Sequence, residues 1–130
     1  VGVYGRVLAA EGVEVVAIEA HPLAVAEARR AEPGLRVLEG AVEGRLAEAL
    51  PADVVILNPP RAGLDDAVTD VLAAAGPDRV VYVSCDPATL ARDLKGMKAA
   101  YEPTGIRCFD LFPQTAHVET VVELERCATT

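Results

Sequence analysis

The chain of 130 residues contains no tryptophan, and only 4% of its residues are aromatic. A sequence this poor in aromatic rings offers few surfaces on which nucleic-acid bases could stack. It also lacks an apolar run near the roughly 20 residues that cross a bilayer, and it shows no signal-peptide pattern. We therefore expect neither a membrane-spanning helix nor a secretory signal.

Basic residues and cysteines are also scarce. Lysine and arginine together number 12 against 20 aspartates and glutamates, so the formal net charge is −8. Because phosphate contacts carry most of the affinity for nucleic acid, this charge argues against the chain alone gripping RNA or DNA, although another domain could hold such a substrate. Cys85, Cys108 and Cys127 lack metal-ligand spacing, which predicts a reducing, cytoplasmic setting and no zinc site.

The residues that are present indicate a folded domain. Hydrophobic residues make up 52% of the chain and the mean hydropathy is +0.27, which excludes a disordered chain. The length is enough for one core, so we predict a single domain over residues 1–130. Because the chain starts at Val1, inside what looks like a glycine loop, we expect it to be truncated at its N-terminus.

Helix and strand signals alternate along the chain. Helices are predicted over residues 3–10, 22–31, 43–50, 65–75 and 87–99. Strands are predicted over residues 13–19, 35–38, 53–57, 79–83, 106–111 and 117–125. This alternation indicates a mostly parallel α/β sheet with helices on both faces, closed by an antiparallel strand pair at one edge. It resembles the Rossmann-like fold of class I methyltransferases, with the first strand missing.

Cys85 stands between a predicted buried strand and a predicted helix. Asp86 is a good N-cap for that helix, and Pro87 suits its first position. Open α/β sheets place their active sites at this end of a strand, and a helix N-terminus favours a thiolate. Cys85 is therefore a candidate nucleophile; the alternative is a buried cysteine that packs as a small hydrophobic residue.

Two features of the first third of the chain are typical of a nucleotide-containing cofactor site. The opening residues, up to Gly5, resemble the end of a glycine-rich loop that leads into a helix. Glu19 ends the next strand, where an acid can accept hydrogen bonds from both ribose hydroxyls. The spacing fits either NAD or S-adenosylmethionine, and a solvated acid at a strand end is the alternative for Glu19.

Three segments together carry a resemblance to a known family. They are Asn-Pro-Pro-Arg-Ala-Gly-Leu at 58–64, Tyr-Val-Ser-Cys-Asp-Pro-Ala-Thr-Leu-Ala-Arg-Asp at 82–93, and Phe-Pro-Gln-Thr-Ala-His-Val-Glu-Thr-Val-Val at 112–122. In this order they closely resemble the RNA 5-methyluridine methyltransferases, the S-adenosyl-L-methionine-dependent uracil-C5 enzymes. The third segment is most similar to the 23S ribosomal RNA members. The resemblance implies an RNA substrate, ribosomal rather than transfer RNA, gripped mainly by an upstream domain outside this chain.

The resemblance also implies catalytic roles. C5 of uracil is a poor nucleophile unless a thiolate adds to C6, after which C5 can attack a sulfonium methyl group. The resemblance assigns the thiolate to Cys85 and the base that removes the C5 proton to Glu119. Gln114 and His117 flank that base and are candidates to orient it or the extruded uridine.

For the cofactor, the resemblance implies that Gly2, Val3 and Tyr4 line the methionine end and that Glu19 binds ribose. Asn58 is assigned to the cofactor site, at a position where the family usually has aspartate. An amide keeps the hydrogen-bonding capacity of that position but removes a negative charge. No metal site is implied.

Some features favour other interpretations. Asn58-Pro59-Pro60 is also similar to the Asn-Pro-Pro-aromatic motif of amino-methyltransferases that act on a base or glutamine nitrogen, although Arg61 replaces the aromatic residue. A further alternative is an inactive folded piece that binds neither cofactor nor RNA. The charged cluster at 92–98 is most simply interpreted as a solvated helix face.

Overall fold

The computed structural model describes residues 3–111, 113–115 and 118–128. The predictions on Gly2 and His117 therefore concern residues outside the described part of the chain. The chain divides into two compact units, the first ending at Ala49 and the second beginning at Leu50. Across the described ranges, no helix has the length and apolar character that would let it cross a membrane.

The first unit alternates helices with two short strands. Its elements are α1 (Val3–Ala10), β1 (Val16–Glu19), α2 (Pro22–Ala31), β2 (Arg36–Glu39) and α3 (Val42–Ala49). The two strands pair in parallel, with Val16 opposite Arg36 and Glu19 opposite Glu39. Helix α2 begins at a proline, which suits the first helical position. The core of the unit is formed by the buried side chains of Val25, Ala28, Leu35 and Leu46.

The second unit contains a mixed four-stranded sheet. Its elements are β3 (Val54–Leu57), α4 (Asp66–Ala75), β4 (Arg79–Ser84), α5 (Pro87–Met97), β5 (Tyr101–Phe109) and β6 (Glu119–Arg126). The strand order is β3-β4-β6-β5. Strands β3 and β4 are parallel, and β6 is antiparallel to both of its neighbours. The predicted antiparallel pairing of the last two strands is confirmed.

Burial is concentrated on the strand that leads to Cys85. Val80 and Tyr82 of β4 are 0% exposed and Val83 is 4% exposed, and β4 has a paired strand on each side. Helices α4 and α5 begin at the aspartate caps Asp65 and Asp86, whose side chains accept backbone N–H groups of the first turn. The two capped helix starts lie where the sequence predicts them.

Strand β5 differs most from its prediction, since it begins at Tyr101 and not near residue 106. Pro103 and Gly105 lie inside it, and the pairing with β6 shifts register between them. A proline is tolerated there because β5 is an edge strand, where one side of the backbone needs no partner. Sequence patterns treat both residues as strand breakers, which hides the first half of this strand.

Candidate active site

Three of the predicted site residues meet at one edge of the four-stranded sheet. Leu57, the last residue of β3, pairs with Tyr82 of β4, so Asn58 leaves the sheet beside the end of β4. The antiparallel ladder between β4 and β6 ends with the pair Ser84 and Thr120. The next residues outward on these two strands are Cys85 and Glu119. The carboxyl ends of β3 and β4 and the start of β6 thus present an amide, a thiol and a carboxyl group together.

Cys85 and Glu119 are close because of this register. Directly opposed residues of an antiparallel ladder have Cα atoms about 5 Å apart, and these two lie one step beyond the last such pair. Both residues are half-buried, whereas Asn58 is exposed. On its other side, Glu119 pairs with Phe109 of β5, whose side chain is 45% exposed. Cys85 and Glu119 therefore lie at a partly exposed end of the sheet that a planar aromatic ring could approach.

The turn that carries Cys85 is fixed by hydrogen bonds on both sides of it. Ser84 Oγ donates to the carbonyl oxygen of Asp86 over 3.0 Å and accepts the Asp86 backbone N–H over 3.1 Å. Asp86 Oδ1 accepts the N–H groups of Ala88 (2.9 Å) and Thr89 (3.0 Å). These bonds hold the thiol at the N-terminus of α5, where the helix dipole favours negative charge.

Residues 58–64, here called the Asn58 loop, are tied to α5 by two charged side chains. Asp93 Oδ2 accepts the Leu64 N–H over 2.8 Å. Arg92 Nη2 donates to the carbonyl oxygens of Ala62 (2.8 Å) and Leu64 (3.2 Å). Arg92 also binds Asp93 Oδ1 through Nε and Nη2, over 2.9 and 2.7 Å.

These contacts correct the interpretation of the 92–98 cluster as a solvated helix face at one residue, Asp93, whereas Arg92, Lys95 and Lys98 are exposed as predicted. Asp93 is only 3% exposed, and it lies on the buried face of α5 with Leu90 and Met97. Positions 90, 93 and 97 have the spacing of one helix face. That spacing was a signal in the sequence, but the neighbouring lysines and arginine obscured it. An acid can occupy this face because hydrogen-bond donors surround it.

Tyr82 is the third member of this network. It is fully buried, and its hydroxyl donates to Asp93 Oδ2 over 2.6 Å. Burial, reinforced by the bond to the Asp93 carboxylate, raises the pKa of Tyr82 well above its usual range. Tyr82 therefore stays neutral and serves as a hydrogen-bond donor. Asp93, Arg92 and Tyr82 are the residues of this site region that sequence reasoning missed.

The predicted cofactor residues of the first unit lie at its strand end and helix start. Glu19 ends β1, and its Oε1 accepts the His21 N–H over 2.8 Å. Its second carboxylate oxygen has no hydrogen-bond partner among residues 3–111, 113–115 and 118–128. Val3 and Tyr4 begin α1 with exposed side chains. An open carboxylate oxygen at the end of a parallel strand fits a ribose hydroxyl donor.

The structure also places Gln114, a predicted orienting residue, and the two cysteines other than Cys85. Gln114 is exposed and has a backbone φ of +68°, a conformation that non-glycine residues rarely adopt. Cys108 is exposed on β5, with its Sγ 3.9 Å from Thr120 Oγ1. Cys127 is half-buried beyond the end of β6. The orienting role of Gln114 stays a prediction, and no site role is predicted for Cys108 or Cys127.

A cavity of about 490 Å³ lies at the opposite edge of the same sheet. It is lined by residues 52–54 and 76–79, which include the first residues of β3 and β4. Because both strands run away from it toward Asn58 and Cys85, the cavity takes no part in the candidate site.

Comparison with known proteins gives a consistent result. A family model described as tRNA (Uracil-5-)-methyltransferase matches residues 11–127. A protein of Gloeobacter violaceus named as an uncharacterized RNA methyltransferase is 46% identical over 97% of this chain and 29% of its own length. One from Bacillus cereus with the same description is 37% identical over 97% of this chain and 29% of its own length.

Solved structures extend the comparison to the fold. The tRNA (uracil-54, C5)-methyltransferase of Pyrococcus abyssi, solved with S-adenosyl-L-homocysteine, has a TM-score of 0.83 and 34% identity, over 95% of this chain and 31% of that one. A TehB-like SAM-dependent methyltransferase of Corynebacterium glutamicum has a TM-score of 0.76 at 16% identity, over 97% and 75% of the two chains. The predicted fold class is confirmed. The chain spans 29–31% of the length of the relatives from Gloeobacter, Bacillus and Pyrococcus.

Proposed function

Because this chain belongs to the tRNA (uracil-5-)-methyltransferase family, we propose that residues 1–130 are a catalytic domain that methylates C5 of a uridine in RNA. The observation that carries the proposal is the β4–β6 register, which brings Cys85 and Glu119 to adjacent strand ends. Uracil C5 and C6 are neighbouring ring atoms, so the two groups that act on them must lie close together. Paired strands about 4.8 Å apart provide such a spacing.

In the proposed reaction Cys85 first adds to C6 and finally leaves it, and Glu119 accepts one proton. The Cys85 thiolate adds to C6, and the electron pair of the C5–C6 double bond becomes available at C5. C5 would take its methyl group from the sulfonium of bound S-adenosyl-L-methionine, which would become a thioether. Glu119 then accepts the C5 proton, the double bond forms again, and the C6–S bond breaks to return the thiolate.

We propose that the cofactor is held by Gly2, Val3, Tyr4, Glu19 and Asn58. The carboxylate oxygen of Glu19 that has no partner among the described residues supports a ribose role. The exposed amide of Asn58, at the same sheet edge as Cys85, supports a role near the transferred methyl group. Aspartate is usual at that position in the family, so Asn58→Asp is expected to leave the fold intact and raise cofactor affinity.

The proposed substrate is a ribosomal RNA, in keeping with the sequence of segment 112–122. The net charge of −8 favours a grip on RNA by an upstream domain outside these residues. Base-modifying enzymes extrude their target from its stack, and the half-buried positions of Cys85 and Glu119 suit an extruded ring. A cytoplasmic location is proposed from the free cysteines.

The test is methyl transfer by the full-length protein that carries this chain. Wild type, Cys85→Ala, Glu119→Gln and the control Cys127→Ala are incubated with total RNA and methyl-labelled S-adenosyl-L-methionine, and labelled nucleosides are identified. We expect 5-methyluridine from wild type and Cys127→Ala, and none from Cys85→Ala. Label in ribosomal RNA supports the proposed substrate, and label in transfer RNA corrects it.

One outcome would overturn the reaction class. If label appears on a base nitrogen and Cys85→Ala leaves its rate unchanged, the chain is an amino-methyltransferase that uses Asn58-Pro59-Pro60. If no variant transfers label, the chain is an inactive member of the family.

A further inference from the structure

The Asn58 loop and strand β4, which leads to Cys85, are hydrogen-bonded to the same buried carboxylate. Asp93 Oδ2 accepts the Leu64 N–H at the end of the loop (2.8 Å) and the hydroxyl of Tyr82 (2.6 Å). Tyr82 precedes Cys85 on β4, and Asp93 follows it on α5. The loop, the strand and the helix around the predicted nucleophile therefore share one hydrogen-bonding centre.

Arg92 completes this centre. It binds Asp93 Oδ1 through two nitrogen atoms and reaches the carbonyl oxygens of Ala62 and Leu64. The pair thus satisfies a backbone donor and two backbone acceptors of the loop. Because the Asp93 carboxylate is 3% exposed, its charge is compensated by these donors and not by water.

Gly63 shows how closely the loop approaches the pair. A Cβ atom at this position would lie 2.5 Å from both Arg92 Nη2 and Asp93 Oδ2, and the backbone φ is +79°. The Gly63 N–H also donates to the Pro60 carbonyl oxygen over 2.8 Å, which closes a turn within the loop. The loop is therefore shaped to fit against these two side chains.

We propose that Asp93, together with Arg92 and Tyr82, is a positioning residue that holds the Asn58 loop at a fixed distance from Cys85. This inference rests on the proposed function, in which both the loop and the thiol face the reacting methyl group and ring. None of the three side chains needs to touch the substrate, because they act through the backbone of the loop and the strand. A misplacement of about 1 Å in such an arrangement can lower a rate about 100-fold.

The test compares two tyrosine-to-phenylalanine variants of the full-length protein. Tyr82→Phe removes the hydroxyl that Asp93 accepts. Tyr101→Phe removes another buried hydroxyl, which donates to the carbonyl oxygens of Pro77 (2.7 Å) and Leu72 (3.3 Å) near the opposite sheet edge. Both variants lose buried hydrogen bonds, so a purely structural effect should appear in both.

Steady-state rates of 5-methyluridine formation are measured at a temperature at which circular dichroism shows both variants folded. We expect Tyr82→Phe to lower kcat about tenfold while KM for RNA stays within about twofold. We expect Tyr101→Phe to keep kcat within about twofold of wild type. Asp93→Asn, which removes the charge that Arg92 pairs with, should lower kcat further than Tyr82→Phe.

The remaining outcomes separate a failure of the positioning role from a failure of the proposed function. Equal kcat losses in Tyr82→Phe and Tyr101→Phe, or an unchanged kcat in Tyr82→Phe, refute the positioning role and leave the proposed function standing. A wild-type protein that makes no 5-methyluridine refutes the proposed function, and the positioning role with it.

Discussion

Substitution of Gly63 by alanine perturbs the loop–helix contact at its closest point. The backbone φ of Gly63 is +79°, in the left-handed region that a residue with a Cβ atom enters at a cost of about 1 kcal/mol. The added methyl would also lie 2.5 Å from Arg92 Nη2 and Asp93 Oδ2, and 3.2 Å from Thr89 Cβ. The loop must therefore move away from α5.

The size of the effect follows from the bonds that this movement breaks. Asp93 is buried and accepts the Leu64 N–H, and Arg92 donates to the carbonyl oxygens of Ala62 and Leu64. Leaving one buried polar group unsatisfied costs about 1–3 kcal/mol. Together with the cost of about 1 kcal/mol for the left-handed backbone, this gives an expected loss of about 2–4 kcal/mol in the free energy of unfolding.

Equilibrium unfolding in urea measures this loss, and Gly96→Ala is the matched control. Gly96 lies in α5, where an added Cβ would make ordinary contacts of 3.7–3.9 Å with Thr69. Alanine should stabilise that helix by about 0.5–1 kcal/mol. The reasoning is refuted if Gly63→Ala changes the free energy of unfolding by less than about 0.5 kcal/mol, or if it stabilises the protein as Gly96→Ala does.

The pKa of Tyr82 is raised in the folded state, so its neutral form stabilises the fold fully at pH values below the unfolded-state pKa of about 10. This stabilisation is lost as pH rises above that value. In urea titrations from pH 8 to 11, the free energy of unfolding should therefore fall more steeply for wild type than for Tyr82→Phe, and parallel curves would contradict this. Arg126 caps the end of α4 by donating to the carbonyl oxygens of Leu72, Ala73 and Gly76, so Arg126→Met should lower the free energy of unfolding by about 2–3 kcal/mol. The control Arg79→Met loses only an exposed ion pair of 3.7 Å and should lower it by less than about 1 kcal/mol. Equal losses in the two variants would refute the capping role of Arg126. Glu119→Gln should accumulate a covalent complex with ordinary uridine RNA after methyl transfer, visible in denaturing gels, and rapid release of product would argue against Glu119 as the base.

The order of elements could be predicted because each one carries local signals. Asp65 and Asp86 mark helix starts through side-chain caps, and the apolar runs of β3 and β4 are typical of parallel strands. A near-continuous apolar run usually indicates a central strand, which holds for β4 but not for β3, an edge strand of the four-stranded sheet. The first half of β5 could not be predicted, because Pro103 and Gly105 are compatible with a strand only at a sheet edge. Edge position depends on strand order, which local patterns do not specify.

Some residues of the candidate site could be predicted from local sequence signals, and others could not. Cys85 is identified by its place between a strand and a capped helix, and the observed register adds Glu119 as its neighbour on β6. The burial of Asp93 was harder to predict from the sequence. Its carboxylate is hydrogen-bonded by Leu64 and Tyr82, which are distant from it in the chain, and local patterns do not show such contacts. The site roles of all these residues stay predictions, as do those of Asn58, Glu19, Val3, Tyr4 and Gly2, the last of which lies outside the described residues.

Covalent trapping of an RNA substrate is the sharpest test of Cys85 as the nucleophile. The full-length protein is incubated with S-adenosyl-L-methionine and RNA that contains 5-fluorouridine, whose fluorine cannot leave as a proton. Glu119 then has no proton to remove, and the enzyme should stall as a methylated adduct. We expect a cofactor-dependent protein–RNA complex in which mass spectrometry places the RNA on the peptide that contains Cys85. It would be contradicted by an adduct that persists in Cys85→Ala, or by an active wild type that forms no adduct.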